Sequence, residues 1–135
     1  MAMLKSVHHV NFIVSDLDAA VQNYESILGL GPFKHEELPE RGVSTARVLV
    51  GDVWIVLVAP QSEDSIAGRY LRDHGEGFFL MSFGVDNLDQ AVAELAQRGA
   101  ISADTIARPG ILGWQVVDLD TQNSLGVGFH LTQTD

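Results

Sequence analysis

The sequence predicts an α+β fold in which two βαβββ modules form a curled mixed sheet around one cavity. The first observation is an internal repeat, because residues 9–21 return as residues 80–92 with six identical positions out of thirteen. The second is that each copy changes from the two-residue period of a strand to the spacing of a helix. Two copies are too few for a solenoid. We therefore expect one domain over residues 4–132, with module one at 4–60, a linker helix at 61–76 and module two at 77–132.

Capping and turn residues divide module one into its elements. A strand over Val7–Val14 is followed by Ser15 or Asp16, either of which can cap a helix that ends at Gly29. A turn at Pro39–Gly42 and a tight hairpin separate the strands that follow. These three strands are predicted at Phe33–Leu38, Val43–Val50 and Val53–Val58.

Module two repeats this order after a linker helix that ends near Gly75. Its first strand and its helix are predicted at Phe78–Val85 and Leu88–Arg98. Three further strands are expected at Ile101–Ala107, Trp114–Asp118 and Leu125–Leu131. We expect the Arg108–Gly113 loop to be the most mobile segment.

The repeat also indicates which residues have a structural role and which are candidates for a functional role. Phe12 and Val14 match Phe83 and Val85, and because side chains alternate along a strand, these residues share the face that packs on the following helix. The opposite face differs between the copies, so we look for chemistry there. The repeat places His9, Asn11, Leu80 and Ser82 on that face, where we expect them to line a small-molecule cavity.

Composition excludes several classes of function. The net charge of −10 and the absence of any basic cluster argue against nucleic acid as a partner. No apolar run is long enough to span a bilayer and the start lacks the pattern of a signal peptide, so we expect a soluble, cytoplasmic protein without membrane partners. The absence of cysteine excludes disulfides, thiolate metal sites and a cysteine nucleophile.

The paired modules resemble the vicinal oxygen chelate superfamily of glyoxalases, bleomycin-resistance proteins, dioxygenases and epimerases. The resemblance covers residues 7–132 and starts from the opening His9-Val10-Asn11-Phe12-Ile13-Val14. Within the superfamily the chain is most similar to methylmalonyl-CoA epimerases. That similarity is carried by Pro39-Glu40-Arg41-Gly42-Val43, Ala59-Pro60, Glu63-Asp64-Ser65 and His74-Gly75-Glu76-Gly77.

The resemblance implies one divalent metal held by four side chains on the cavity face. The corresponding positions in this chain are His9, Val56, Leu80 and His130, and Trp54 has the strand parity of Val56, so the resemblance adds Trp54, Val56 and His130 to the cavity lining. Valine and leucine offer no lone pair, so two of the four ligands are lost and His9 with His130 would form an incomplete metal site. A third ligand could come from Glu40 or from a substrate carboxylate.

Each candidate residue also has a structural interpretation. His9 and His130 can be buried imidazoles that bond to backbone or water, and Trp54 can belong to the core. Glu40 matches the catalytic base of the epimerases, yet it can equally be an exposed turn residue. Arg47 could bind a carboxylate in the cavity, but the sequence favours an exposed arginine at a sheet edge.

Two functions remain open. One is an enzyme of isomerase or lyase type that acts on a small carbonyl or acyl substrate, such as a CoA thioester. In that enzyme Glu40 and His130 would exchange a proton while His9 polarises or anchors the oxygen. The other is a binding protein of the bleomycin-resistance type, which traps a flat organic molecule without turnover. The resemblance further implies a homodimer.

Overall fold

The fold was determined from a computed structural model, which describes residues 4–99 and 106–134, without the side chain of Asn123. Its helices are α1 (Leu17–Leu28), α2 (Ile66–His74), α3 (Leu88–Gln97) and the short α4 (Gln122–Leu125). Its strands are β1 (Ser6–Ile13), β2 (Lys34–Leu38), β3 (Val43–Val50), β4 (Val53–Pro60), β5 (Gly77–Gly84), β6 (Arg108–Pro109), β7 (Gln115–Leu119) and β8 (Gly128–Gln133). The α+β class is confirmed.

The observed helices and strands agree with the predicted ones except near the C-terminus. The last strand was predicted to start at Leu125, which is wrong, because Leu125 ends α4 and a left-handed Gly126 precedes β8. The segment predicted as a plain loop contains β6 and a 3-10 turn over Ile111–Gly113. Most of the strand expected at Ile101–Ala107 lies outside the described residues.

The chain divides into two compact units, here called the terminal unit and the internal unit. The terminal unit spans Met1–His9 with Leu80–Asp135, and the internal unit spans Val10–Phe79. Strand β1 contributes Ser6–His9 to the terminal unit and its remaining residues to the internal unit. The strand order is β2-β3-β4-β1 in the internal unit and β1-β5-β8-β7-β6 in the terminal unit. The sheet is mixed, since β5 and β8 are parallel whereas β7 and β8 are antiparallel.

Each unit has an apolar core that covers one face of its strands. In the internal unit Phe12 and Val14 pack with residues of α1, and in the terminal unit Phe83 and Val85 pack with residues of α3. The face predicted to be structural is therefore confirmed in both copies. The opposite face of the same strands carries His9 and Asn11 on β1 and Ser82 on β5, together with the apolar Ile13 and Leu80.

Local signals in the sequence set the ends of α1. The carboxylate of Asp16 accepts a hydrogen bond from the Ala19 N–H, so Asp16 rather than Ser15 is the N-cap. Gly29 adopts the left-handed conformation at the C-terminus and its N–H donates to Glu25. Among the described residues no helix has both the length and the apolar character that a membrane crossing requires.

Candidate active site

The terminal unit gathers charged and aromatic side chains around the two predicted histidines. His9 lies on β1 and His130 on β8, and Asp118 on β7 is the direct cross-strand partner of His130. Residues directly opposite each other on antiparallel strands share a face and lie close together. The register of β7 and β8 therefore brings a carboxylate to the imidazole of His130.

Asp118 contacts both His130 and Arg108 through one oxygen. Its Oδ1 lies 2.6 Å from Nε2 of His130 and 2.7 Å from Nη2 of Arg108. The His130 side chain is only 12% exposed, so the contact is shielded from solvent on the imidazole side. When His130 is neutral, a carboxylate at this distance places the ring proton on Nε2.

His9 is more deeply buried than His130. It is 4% exposed, its Nδ1 lies 2.9 Å from Nδ1 of His8, and its ring stacks on Trp114 with centroids 5.5 Å apart and planes at 24°. Trp114 also meets His8 edge to face, at 4.5 Å between centroids. These contacts fix the orientation of the His9 ring.

Burial keeps the His9 ring neutral. Desolvation is the largest cause, and the nearby His130, His8 and Arg108 add repulsion, so that the pKa of His9 falls from 6.5 to about 3. Burial also lowers the pKa of His8. At neutral pH His9 can therefore act as a neutral hydrogen-bond donor or acceptor, whereas a permanent positive charge at this position is excluded.

This pKa shift has a consequence for stability. The unfolded chain takes up the proton of His9 near pH 6.5, whereas the folded chain resists it down to about pH 3, so acid favours the unfolded state between these values. The melting temperature of the wild type should therefore fall more steeply with decreasing pH than that of His9→Gln. Thermal melts from pH 7.5 to 4.5 measure the difference. The control is His74→Gln, which replaces an exposed histidine. Equal slopes of melting temperature against pH for the wild type and His9→Gln would contradict a buried, neutral His9.

The other predicted residues of the terminal unit are enclosed. Leu80 is buried, and Ser82 is completely buried with its hydroxyl 2.6 Å from that of Thr132. Ser82 is the cross-strand partner of His130 on the parallel strand β5, which places it beside that histidine in the sheet. Its hydroxyl is already bonded within the protein.

The internal unit holds the remaining candidates. Glu40 is exposed in the 3-10 turn Pro39–Arg41, so the structure places it on the surface of this unit. Val56 is completely buried and Trp54 is partly buried. The Asn11 Oδ1 atom is buried and has no hydrogen-bond partner within the described part of the chain. An orphaned acceptor of this kind is suited to a polar group of a ligand.

An open pocket of about 440 Å³ also lies in the internal unit, beside the first turn of α1. None of the predicted site residues lines it. Its polar wall includes Tyr24 and Glu76, and burial together with the Glu76 carboxylate raises the pKa of Tyr24. Glu76 is itself engaged by the backbone N–H and hydroxyl of Ser15.

The donor set does not fit a resident divalent metal. Of the four positions that the resemblance implies, Val56 and Leu80 present hydrocarbon, and His9 and His130 each have a ring nitrogen engaged with another side chain. Catalytic metals generally require about three protein ligands. Within residues 4–99 and 106–134, no group of three or more histidine, cysteine or carboxylate side chains is arranged to hold a metal ion.

The sequence identified His9 and His130 but missed three of their neighbours. Asp118, Trp114 and His8 all contact one of the two histidines. His8 is the neighbour of His9 on β1, and alternation along a strand predicts that its side chain points to the other face. Asp118 and Trp114 mark the ends of a strand that was predicted, but finding them required the register of β7 on β8.

A model of the Glyoxalase/Bleomycin resistance protein/Dioxygenase superfamily matches residues 8–117. The chain belongs to this superfamily. Within it, the chain is 32% identical to human mitochondrial methylmalonyl-CoA epimerase over 96% of its own length and 74% of the human protein. The expected similarity to epimerase-type members is thus confirmed.

Solved structures agree with this relationship. Streptomyces coelicolor methylmalonyl-CoA epimerase in complex with 2-nitronate-propionyl-CoA aligns with a TM-score of 0.90 and 28% identity, over 97% of this chain and 98% of that one. The Mycobacterium tuberculosis methylmalonyl-CoA epimerase aligns with a TM-score of 0.91 and 25% identity, over 100% and 91% of the two chains. These similarities support an epimerase-type enzyme of the superfamily.

Proposed function

We propose that this chain is an isomerase that inverts the carbon next to the carbonyl of an acyl-CoA thioester by proton transfer. The observation that carries the proposal is the 2.6 Å contact between Asp118 and His130, with the neutral ring of His9 held in the same unit. An imidazole oriented by a carboxylate can release and take up a proton near neutral pH. The similarity to epimerases of acyl-CoA substrates supports the substrate class.

Inversion requires a base on one face of the carbon and an acid on the other. We assign these two roles to Glu40 and His130: the carboxylate removes the proton and leaves an enolate, and the imidazolium returns a proton to the same carbon. The reverse direction uses the same groups with their roles exchanged. Asp118 stabilises the imidazolium of His130 while it carries the proton.

The enolate oxygen needs a donor when its negative charge develops. A neutral imidazole N–H can donate to such an oxygen, and His9 stays neutral at physiological pH. We assign His9 this role. The residues that would contact the substrate without exchanging protons are Asn11, Trp54, Val56, Leu80 and Ser82.

The test is an inversion assay with purified protein. One diastereomer of methylmalonyl-CoA should be converted to the other, in the presence of a chelator as well as in its absence, and Glu40→Gln should lower the rate strongly. The exposed Glu37 on β2 offers a matched control, since Glu37→Gln should leave the rate unchanged. Conversion that requires added metal would contradict the assignment of the proton steps to these side chains alone.

A binding protein without turnover is the other hypothesis, and two observations favour it. Two of the implied ligand positions are apolar, and Trp114 adds an aromatic wall beside His9. If no acyl-CoA is converted while a planar aromatic compound raises the melting temperature, the isomerase proposal is wrong and the binding function replaces it.

A further inference from the structure

Arg47 on β3 is a buried cation with few partners. It was expected to be exposed at a sheet edge, which is wrong, because only 6% of the residue is exposed. Its Nη1 donates to Oε1 of Glu36 at 3.0 Å, which is the one hydrogen bond that the guanidinium makes to the described residues. The Nε–H is buried and has no hydrogen-bond partner there. A guanidinium carries five N–H donors, so most of them have no acceptor among the residues that the structure describes.

The register of β3 and β4 places Arg47 beside Val56. On β3 and β4, Arg47 is the direct cross-strand partner of Val56, so the two side chains share a face. Val56 stands where the superfamily resemblance implies a metal ligand. The guanidinium also lies 5.8 Å from the ring centre of Trp54 on the same strand as Val56. A fixed positive charge therefore stands next to the position at which a metal ligand has been lost.

A buried charge that lacks acceptors is costly, because desolvation is not compensated by hydrogen bonds. Glu36 supplies one acceptor but leaves the fork of the guanidinium incomplete. A planar fork of N–H donors matches a carboxylate better than any other common group. The contact with the Trp54 ring leaves the N–H donors of the guanidinium unused.

We propose that Arg47 binds a carboxylate of the ligand and thereby selects acyl substrates that carry one, such as malonyl-type thioesters. This inference rests on the proposed function for the identity of the acyl substrate. In the absence of substrate, Glu36 serves as an internal counterion that the ligand carboxylate partly replaces. Arg47 supplies at this position the positive charge that a metal supplies elsewhere in the superfamily.

The test compares the binding of two thioesters that differ by one carboxylate. Isothermal titration calorimetry of methylmalonyl-CoA and propionyl-CoA gives their two dissociation constants for each variant. The wild type should prefer methylmalonyl-CoA, and Arg47→Met should reduce this preference by about ten- to a hundredfold, the loss expected for hydrogen bonds to a charged group. The affinity for propionyl-CoA should stay the same. Arg69→Met, at an exposed arginine of α2, is the control.

Glu36→Gln keeps Arg47 intact and removes the competing charge. It should strengthen the preference for methylmalonyl-CoA, and this variant remains informative if Arg47→Met fails to fold. Unchanged preferences in both variants would show that the Arg47–Glu36 pair only stabilises the fold, and would overturn the inference.

A second probe distinguishes this inference from the proposed function. Free malonate should raise the melting temperature of the wild type and not that of Arg47→Met. If neither thioester binds while malonate acts through Arg47, the carboxylate site stands and the acyl-CoA function fails. If both thioesters bind with equal affinity in wild type and Arg47→Met, the acyl-CoA function stands and the carboxylate site fails.

Discussion

Replacing His130 with glutamine is expected to lower kcat for epimerisation by about 10²–10⁴-fold, the usual contribution of a positioned general acid or base. Glutamine has a similar size and can still donate to Asp118, but it cannot take up and release a proton. The free energy of unfolding should therefore change little. Steady-state kinetics with methylmalonyl-CoA, together with a thermal melt of the same sample, separate the two effects.

Two further variants test the role of Asp118 and provide a control histidine outside the candidate site. Asp118→Asn should also lower kcat and should shift the pH profile of kcat, because Asp118 acts through His130 as a positioning residue. His35→Gln changes an exposed histidine on β2 and should have no effect on kcat. Wild-type kcat in His130→Gln would remove His130 from the proposed mechanism.

Replacing Leu131 with alanine is expected to lower the free energy of unfolding by about 2–5 kcal/mol, because the lost side chain leaves a cavity in a packed core. Leu131 is fully buried in the core of the terminal unit, where Val117 and Leu88 belong to the same cluster. It is the neighbour of His130 on β8 but belongs to the opposite face. Denaturant unfolding followed by circular dichroism measures the change.

The matched control is Leu125→Ala. Leu125 is 64% exposed at the end of α4, so its truncation should change the free energy of unfolding by less than about 0.5 kcal/mol. If Leu131→Ala lowered the free energy of unfolding as little as Leu125→Ala does, Leu131 would not be part of the core. Its neighbour His130 would then lose the support that fixes the orientation of β8.

The fold could be predicted because its signals are local and occur twice. The repeat of a strand and a helix, the Asp16 cap and the glycine-ended helix α1 are all encoded within short stretches. The prediction failed at Leu125, where a short helix interrupts an apolar stretch that reads as a strand. A four-residue helix is too short to show a helical period, so the sequence alone could not reveal it.

The candidate site was predictable only in part, for a physical reason. His9 was predicted because alternation along its strand places it on the diverged face, and His130 because it stands at a ligand position that the resemblance implies. Asp118 was missed because its contact depends on the pairing of two strands, which the alternation does not specify. Arg47 was expected on the surface, since arginine is seldom buried without full pairing, and only the structure shows that Glu36 and Trp54 enclose it.

Proton exchange between substrate and solvent is the most direct measure of the proposed chemistry. Methylmalonyl-CoA is incubated with the chelator-treated protein in D₂O, and the proton at the carbon between the two carbonyl groups is followed by NMR. Signal loss in excess of the enzyme-free rate is predicted for both diastereomers with the wild type, whereas Glu40→Gln and His130→Gln should each lose exchange of the diastereomer whose proton the replaced residue removes. A wild-type rate equal to the enzyme-free rate, under conditions where calorimetry shows that the thioester is bound, would contradict proton transfer by these residues.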